Sequence, residues 1–277
     1  DLRIGLDCAN GASWMIAKAV FDALGAKTYV IGASPDGLNV NKDCGSTHIE
    51  NLIEYVRENK LDVGFAFDGD ADRCIAVDEN GRIVDGDCIL YILGTRLKSR
   101  GILDGDTVVA TVMSNSGLFK AFESAGIKYE LTAVGDRFVY ECMQKNGYRL
   151  GGEQSGHIIL QKYATTGDGL LTAIMLTEEM RDRKLPLSKL AEPVRLYPQT
   201  VKSIRVASKE QALSDPEVKA EFDAINKEIN GNGRALLRAS GTEPVVRIML
   251  ECESEELCEK YTARLLEAIH KRGYCCE

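Results

Sequence analysis

The sequence predicts an α/β protein: two similar three-layer α/β domains with mixed, largely parallel sheets, followed by a smaller α+β C-terminal domain. Three observations carry this. Short apolar runs alternate with amphipathic stretches through the first part of the chain, the signature of strands and helices in layers. The helix-to-strand turn Gly25-Ala26-Lys27-Thr28-Tyr29 is echoed by Gly126-Ile127-Lys128-Tyr129. Beyond the prolines at 186, 193 and 198, strands and helices interleave less regularly. The expected domains are 1–98, 99–196 and 197–277.

In order, Leu2–Leu6 reads as a strand, Asn10-Gly11 as a turn, and Ser13 as the cap of a helix ending before Gly25. A strand over Thr28–Ile31 follows. Ile49, Leu52, Ile53 and Val56 share one face of a helix. Asp62–Phe67 and Cys74–Val77 are strands, Glu79-Asn80-Gly81 a turn, and Cys88–Lys98 a helix. The second domain repeats the theme with strand Thr107–Val112, helix Gly117–Ser124 and strand Ile127–Leu131. The stretch holding the three prolines is a linker. The third domain has strands Val201–Val206, Arg234–Leu237 and Val245–Leu250, with helices Pro216–Ile229 and Glu255–His270.

Composition narrows the function. The 277 residues carry 34 Lys+Arg against 42 Asp+Glu, a formal net charge of −8. That balance argues against nucleic acid as a partner, because phosphate contacts need clustered cations. No apolar run approaches the ~18 residues of a membrane span, so no membrane partner is expected. Nine cysteines form no C-x-x-C pair. That excludes the usual zinc and dithiol spacings and suits a reducing compartment, the cytoplasm.

Three loops can carry chemistry. Asp68-Gly69-Asp70-Ala71-Asp72-Arg73 sets three carboxylates at alternate positions between two apolar strands. Their repulsion is relieved by a divalent cation with oxygen ligands, such as Mg²⁺. A calcium hand would need glycine where Arg73 stands, and an aspartyl phosphatase would want Thr or Val in place of Asp72. A solvated acidic turn is the plain alternative. Gly151-Gly152-Glu153-Gln154-Ser155-Gly156-His157 offers Glu153 and Ser155 to a sugar's vicinal hydroxyls, and His157 to the substrate or a proton. A polar turn with a structurally satisfied histidine competes with that reading. Arg238-Ala239-Ser240-Gly241-Thr242-Glu243-Pro244, with Arg247 beyond, brings hydroxyls, exposed N–H groups and two guanidinium forks to a phosphate. A hairpin bearing surface hydroxyls is its competitor. Ser114-Asn115-Ser116 has no histidine near in sequence and reads as a strand-end loop, and Cys275-Cys276 as a frayed tail.

With DGDADR (68–73), VGDRFV (134–139), GGEQSGH (151–157), ATTGDG (164–169) and RASGTEPVVR (238–247), the chain resembles the α-D-phosphohexomutase superfamily. Gln154, TTGDG and CGSTH (44–48) favour its glucosamine branch. The resemblance implies a four-domain enzyme whose phosphoserine passes its phosphoryl group to a hexosamine phosphate. The 1,6-bisphosphate intermediate, here glucosamine 1,6-bisphosphate, then returns the other phosphate. It further implies that Asp68, Asp70 and Asp72 ligate Mg²⁺ and that Arg73 steadies the moving phosphoryl group. Glu153, Ser155 and His157 would hold the sugar, with His157 beside the reaction. Arg238, Ser240, Gly241, Thr242 and Arg247 would grip the phosphate that stays. The family's serine loop has no counterpart here, since no Ser-His-Asn occurs. Domains two to four are therefore expected, inactive alone. The expected partners are a phosphohexosamine substrate and, at most, further copies of the chain. Phosphomannomutase or phosphoglucomutase activity, or phosphosugar binding without turnover, are the alternatives.

Overall fold

In the computed structural model, which describes residues 1–241 and 243–275, the first apolar run forms β1 (Arg3–Asp7). A short 3-10 turn and α1 (Ala17–Ala23) return the chain to β2 (Lys27–Ile31), which pairs parallel with β1. Ser13 does not cap this helix. It is buried, and its hydroxyl donates to the Cys8 carbonyl at 3.4 Å. Next, α2 (Glu50–Asn59) buries Leu52 and Val56 and leads into β3 (Val63–Phe67), parallel to β1 on its other side. The six residues 68–73 then turn the chain straight back into β4 (Cys74–Asp78). A connection that short permits only an antiparallel partner, and β5 (Ile83–Val84) adds a second. The sheet order is β2-β1-β3-β4-β5.

The helix α3 (Gly86–Ser99) follows, capped by Asp85, whose carboxylate accepts from the Cys88 N–H at 3.1 Å. The second sheet repeats the opening: β6 (Thr107–Thr111), α4 (Ser116–Ser124) and β7 (Lys128–Thr132), with β6 and β7 parallel. The Gly25 and Gly126 turns thus each lead from a helix into a strand that pairs parallel with the strand before that helix. Then come α5 (Asp136–Asn146), β8 (Leu150–Gly152), parallel to β6, and β9 (Ile158–Leu160), antiparallel to β8, for an order β7-β6-β8-β9. Finally α6 (Gly169–Arg183) and α7 (Leu187–Ala191) complete this part. The proline-bearing stretch expected as linker thus contains a helix, because Pro186 sits at its start, where a missing N–H costs nothing.

These elements make up one compact unit, Asp1–Ser114 with Leu118–Arg195. Its main core joins both sheets through Phe65 and Phe67 of β3, Ile89, Leu90 and Leu93 of α3, and Leu176 of α6, all fully buried. Each such side chain contributes about 1.5–3 kcal/mol by leaving water.

The second unit, Asn115–Gly117 with the residues from Leu196 on, has its own core. Its elements are β10 (Gln199–Arg205), α8 (Lys209–Ser214), α9 (Pro216–Ile229), β11 (Arg234–Ala239), β12 (Val245–Glu251) and α10 (Glu255–Lys271). The sheet is antiparallel, ordered β10-β12-β11. The α/β class with mixed sheets, and the α+β character of the last part, are as the sequence predicts. No described helix is long and apolar enough to cross a membrane.

Candidate functional site

The β3–β4 connection is the acidic loop. One oxygen from each of Asp68, Asp70 and Asp72 lies within 4.8 Å of the others, with Asp68 buried and Asp70 exposed. The loop is closed by the Ala71 N–H donating to the Asp68 carbonyl at 3.1 Å and by a left-handed Ala71, φ 60°. Asp68 Oδ1 accepts the Arg73 backbone N–H at 3.1 Å, and Arg73 Nε stands 3.8 Å from Oδ2. Burial, reinforced by the neighbouring Asp72 and Asp70 charges, pushes the Asp68 carboxyl up to about 6. Asp72 Oδ1 is buried with no hydrogen-bond partner. A buried, unpartnered carboxylate oxygen beside two further carboxylates is a donor set suited to a hard divalent cation.

The glycine-rich loop 151–157 is bonded directly to this hairpin. Arg73 and His157 form an antiparallel bridge, and the Cys74 N–H donates to the Gly156 carbonyl at 3.0 Å. Gly156 is irreplaceable here: φ is +92°, and a Cβ would stand 2.3 Å from the Cys74 carbonyl oxygen. The loop also docks on the start of α3, where the Gly86 N–H donates to the Gln154 carbonyl at 3.0 Å. The Gln154 side chain turns to Asp85, 3.4 Å away. Glu153 Oε1 accepts the Gly135 N–H at 3.0 Å, and Ser155 is exposed. The structure therefore brings Asp68, Asp70, Asp72, Arg73, Glu153, Ser155 and His157 into two loops joined by backbone hydrogen bonds.

His157, expected beside a substrate, is contacted by the chain at both ring nitrogens. It is 3% exposed, Nδ1 lies 3.0 Å from Asp72 Oδ2, and Nε2 accepts the Gly167 N–H at 3.0 Å. Gly167 belongs to ATTGDG, whose Gly169 N–H also donates to the Ala71 carbonyl at 2.9 Å. Sequence reasoning used that motif only as a mark of resemblance, although two glycines flanking a helix-capping aspartate signal close backbone approach. Ser114 is wholly buried and stands outside this group. A cavity of about 570 Å³ lined by Phe21, Leu24, Ile174 and Arg181, among others, shares no residue with these loops.

In the second unit, β11 and β12 place Arg238 directly opposite Arg247. Burial, and then the Arg247 charge, lower the Arg238 guanidinium from its ordinary value. Arg247 Nη2 pairs with Glu243 at 3.1 Å, while its Nε is buried without a hydrogen-bond partner. Ser240 is buried, its N–H donating to the Val245 carbonyl at 3.0 Å and its hydroxyl accepting from the Glu243 N–H at 3.4 Å. Gly241 is exposed, and Thr242 lies outside the described residues, as does Cys276. Lys209, which sequence reasoning missed, donates to the Ser240 carbonyl at 2.8 Å and fastens the loop to α8. A cation directly after the capping Ser208 was its one signal.

Residues 1–81, 85–197 and 202–268 match, in order, α/β/α domain II, α/β/α domain III and the C-terminal domain of phosphoglucomutase/phosphomannomutase. The phosphoglucosamine mutase of Lachnospira eligens is 59% identical over 273 residues, covering 99% of this chain and 61% of that protein. That of Geobacillus kaustophilus is 53% identical over 270 residues, covering 98% and 60%. Aspergillus fumigatus N-acetylphosphoglucosamine mutase, solved in complex with GlcNAc-6P and magnesium, shares the fold at a TM-score of 0.79 and 19% identity, covering 99% of this chain and 62% of that one. The chain thus spans about 61% of the length of the curated relatives it matches. With three successive domains matched and identity above one half across nearly every residue, the chain belongs to the phosphoglucomutase/phosphomannomutase family.

Proposed function

We propose that this protein interconverts glucosamine 6-phosphate and glucosamine 1-phosphate. The observation that carries the reading is the joining, within one unit, of an acidic triad to a loop bearing Glu153 and Ser155. The names of relatives at 59% and 53% identity support the choice of sugar.

In this reading Asp68, Asp70 and Asp72 hold Mg²⁺, which when bound offsets charge on a phosphoryl oxygen. The unpartnered Asp72 Oδ1 fits that use. Arg73 steadies the phosphoryl group in transit, with its backbone N–H held by Asp68. Glu153 keeps one oxygen on Gly135 and presents the other, with the exposed Ser155 hydroxyl, to the sugar hydroxyls. Arg238, Ser240, Gly241, Thr242 and Arg247 take the phosphate that is not transferred. The donor serine is expected in the length of the relatives beyond the match. Glucosamine 1,6-bisphosphate is the intermediate and, added in trace, the activator. Described cysteines free of disulfides suit the cytoplasm.

This chain alone is expected to bind without turnover, so the test is a coupled assay on a protein joining it to the serine-bearing length of its relatives, with glucosamine 6-phosphate, Mg²⁺ and a trace of the 1,6-bisphosphate, scored for glucosamine 1-phosphate. Turnover is expected, with a higher kcat/KM than for glucose or mannose 6-phosphate. Preference for either of those sugars would overturn the choice of substrate. No turnover of any of the three would overturn the mutase reading.

A further inference from the structure

We propose that the Glu243 carboxylate is a built-in counter-ion of the phosphate grip: it holds Arg247 while the site is empty and is displaced when a phosphate monoester binds. The inference rests on the phosphate reading given above and adds the residue that sets how readily the phosphate leaves.

The need for an anion comes from the strand pairing. Arg238 and Arg247 are paired positions of β11 and β12, so their side chains leave the same face of the sheet. Like charges placed directly opposite destabilise paired strands, and the Arg247 charge helps to lower the Arg238 guanidinium. Lys209 brings a third cation, its ammonium 2.8 Å from the Ser240 carbonyl. The carboxylate at hand is that of Glu243, whose Oε2 accepts from Arg247 Nη2 at 3.1 Å.

This contact is easily given up. It joins one oxygen to one nitrogen, whereas a guanidinium facing a phosphate offers two parallel donors. The Glu243 side chain is 59% exposed, and an ion pair so open to water is weak. Arg247 Nε, which shares one edge of the fork with Nη2, is buried without a hydrogen-bond partner. The carboxylate therefore leaves unsatisfied the site it occupies, and two phosphate oxygens can take that whole edge.

Only the side chain has to move. The Glu243 N–H donates to Ser240 Oγ at 3.4 Å, and its carbonyl accepts from Lys209 Nζ at 3.4 Å. Pro244 follows and restricts the Glu243 backbone further. The loop keeps its shape while the carboxylate swings into water. The incoming group brings about two negative charges where the carboxylate brings one.

The consequence is a grip that lets go. The proposed reaction presents first one phosphate of the sugar and then the other to this segment, so each turnover needs a release. A tethered competitor favours that release without loosening the arginines.

The test is Glu243→Gln, which keeps the size of the side chain and removes its charge. Titrations followed by the amides of 238–247 should show inorganic phosphate and glucosamine 6-phosphate binding about two- to fivefold more tightly than in the unmodified protein. Carbon NMR of the side-chain carboxylates in the unmodified protein requires no variant to fold. Saturating phosphate should move the Glu243 carboxyl signal to the position of a carboxylate in water. Equal or weaker binding by Glu243→Gln, or a Glu243 signal that keeps its place, would overturn displacement and leave the phosphate reading standing, with Glu243 orienting Arg247. No response of 238–247 to either ligand in the unmodified protein would overturn the phosphate reading, and displacement with it.

Discussion

Arg96 Nη1 stands 2.6 Å from Glu179 Oε2, and both side chains are almost fully buried. The pair ties the last turns of α3 and α6, and the same guanidinium reaches Glu178 at 2.7 Å and Asp182 at 2.9 Å. The opposite ends of these helices hold the two loops: Gly86 takes the Gln154 carbonyl and Gly169 takes the Ala71 carbonyl. Removing one partner of a buried pair strands the other's charge. Arg96→Met should therefore cost about 3–5 kcal/mol, and adding Glu179→Leu should recover most of it. Urea denaturation of the two variants measures this. A loss below about 1 kcal/mol in Arg96→Met would show that the pair does not hold the helices together.

The same two helices show how far the sequence could be read. In α3 an acidic cap precedes a continuous apolar run, so its body was legible, and only its start was set too late. In α6 Thr172 and Glu179 are buried among Ala173, Met175, Leu176 and Met180, so no polar face announced a helix. The strands β8 and β9 are three residues each, too short for a period. The acidic, glycine-rich and arginine-bearing loops stand out in the sequence because charge and glycine at fixed spacing are rare outside such loops. The role of Gly167 does not, because a backbone N–H leaves no trace in composition.

Asp68 gives the apoprotein a dependence on pH. Its folded-state pKa is about 6, raised from 3.8 chiefly by burial. A raised carboxyl binds its proton more tightly when folded, so stability falls as pH rises from about 4 through about 6. Asp68→Asn should accordingly raise the thermal midpoint at pH 7.5 in the presence of a chelator and give no gain at pH 3.5. Equal midpoints at pH 7.5 would mean that Asp68 is solvated.

Asp215 acts in the opposite sense. Burial raises its carboxyl, but Arg272 and Tyr274, and the Val218 and Glu217 N–H groups capping α9, together pull it down to about 2. A depressed carboxyl stabilises above its ordinary 3.8, and that contribution is lost as pH falls from about 4 toward 2. Asp215→Asn keeps an acceptor for the cap and loses the charge. It should lower the midpoint of the second unit at pH 7 and match the unmodified protein near pH 2, as followed by circular dichroism. A deficit that persists unchanged at pH 2 would assign the effect to geometry instead.

The two arginines that face each other across β11 and β12 make the last prediction. Arg238 and Arg247 occupy paired register positions, and their mutual repulsion contributes to lowering Arg238. Glu243 offsets only part of that charge, from an exposed position. A phosphate dianion would relieve the repulsion and satisfy the buried Arg247 Nε. Each well-formed charge-assisted contact is worth about 1.5–3 kcal/mol. Lysine in place of Arg247 keeps the charge but loses the planar fork and the Nε donor. In chemical-shift mapping, glucosamine 6-phosphate should perturb amides within 238–247 while free glucosamine leaves them in place, and Arg247→Lys should weaken the phosphate response about tenfold or more. If free glucosamine moves these amides as far as its phosphate does, the segment recognises sugar and the phosphate role fails.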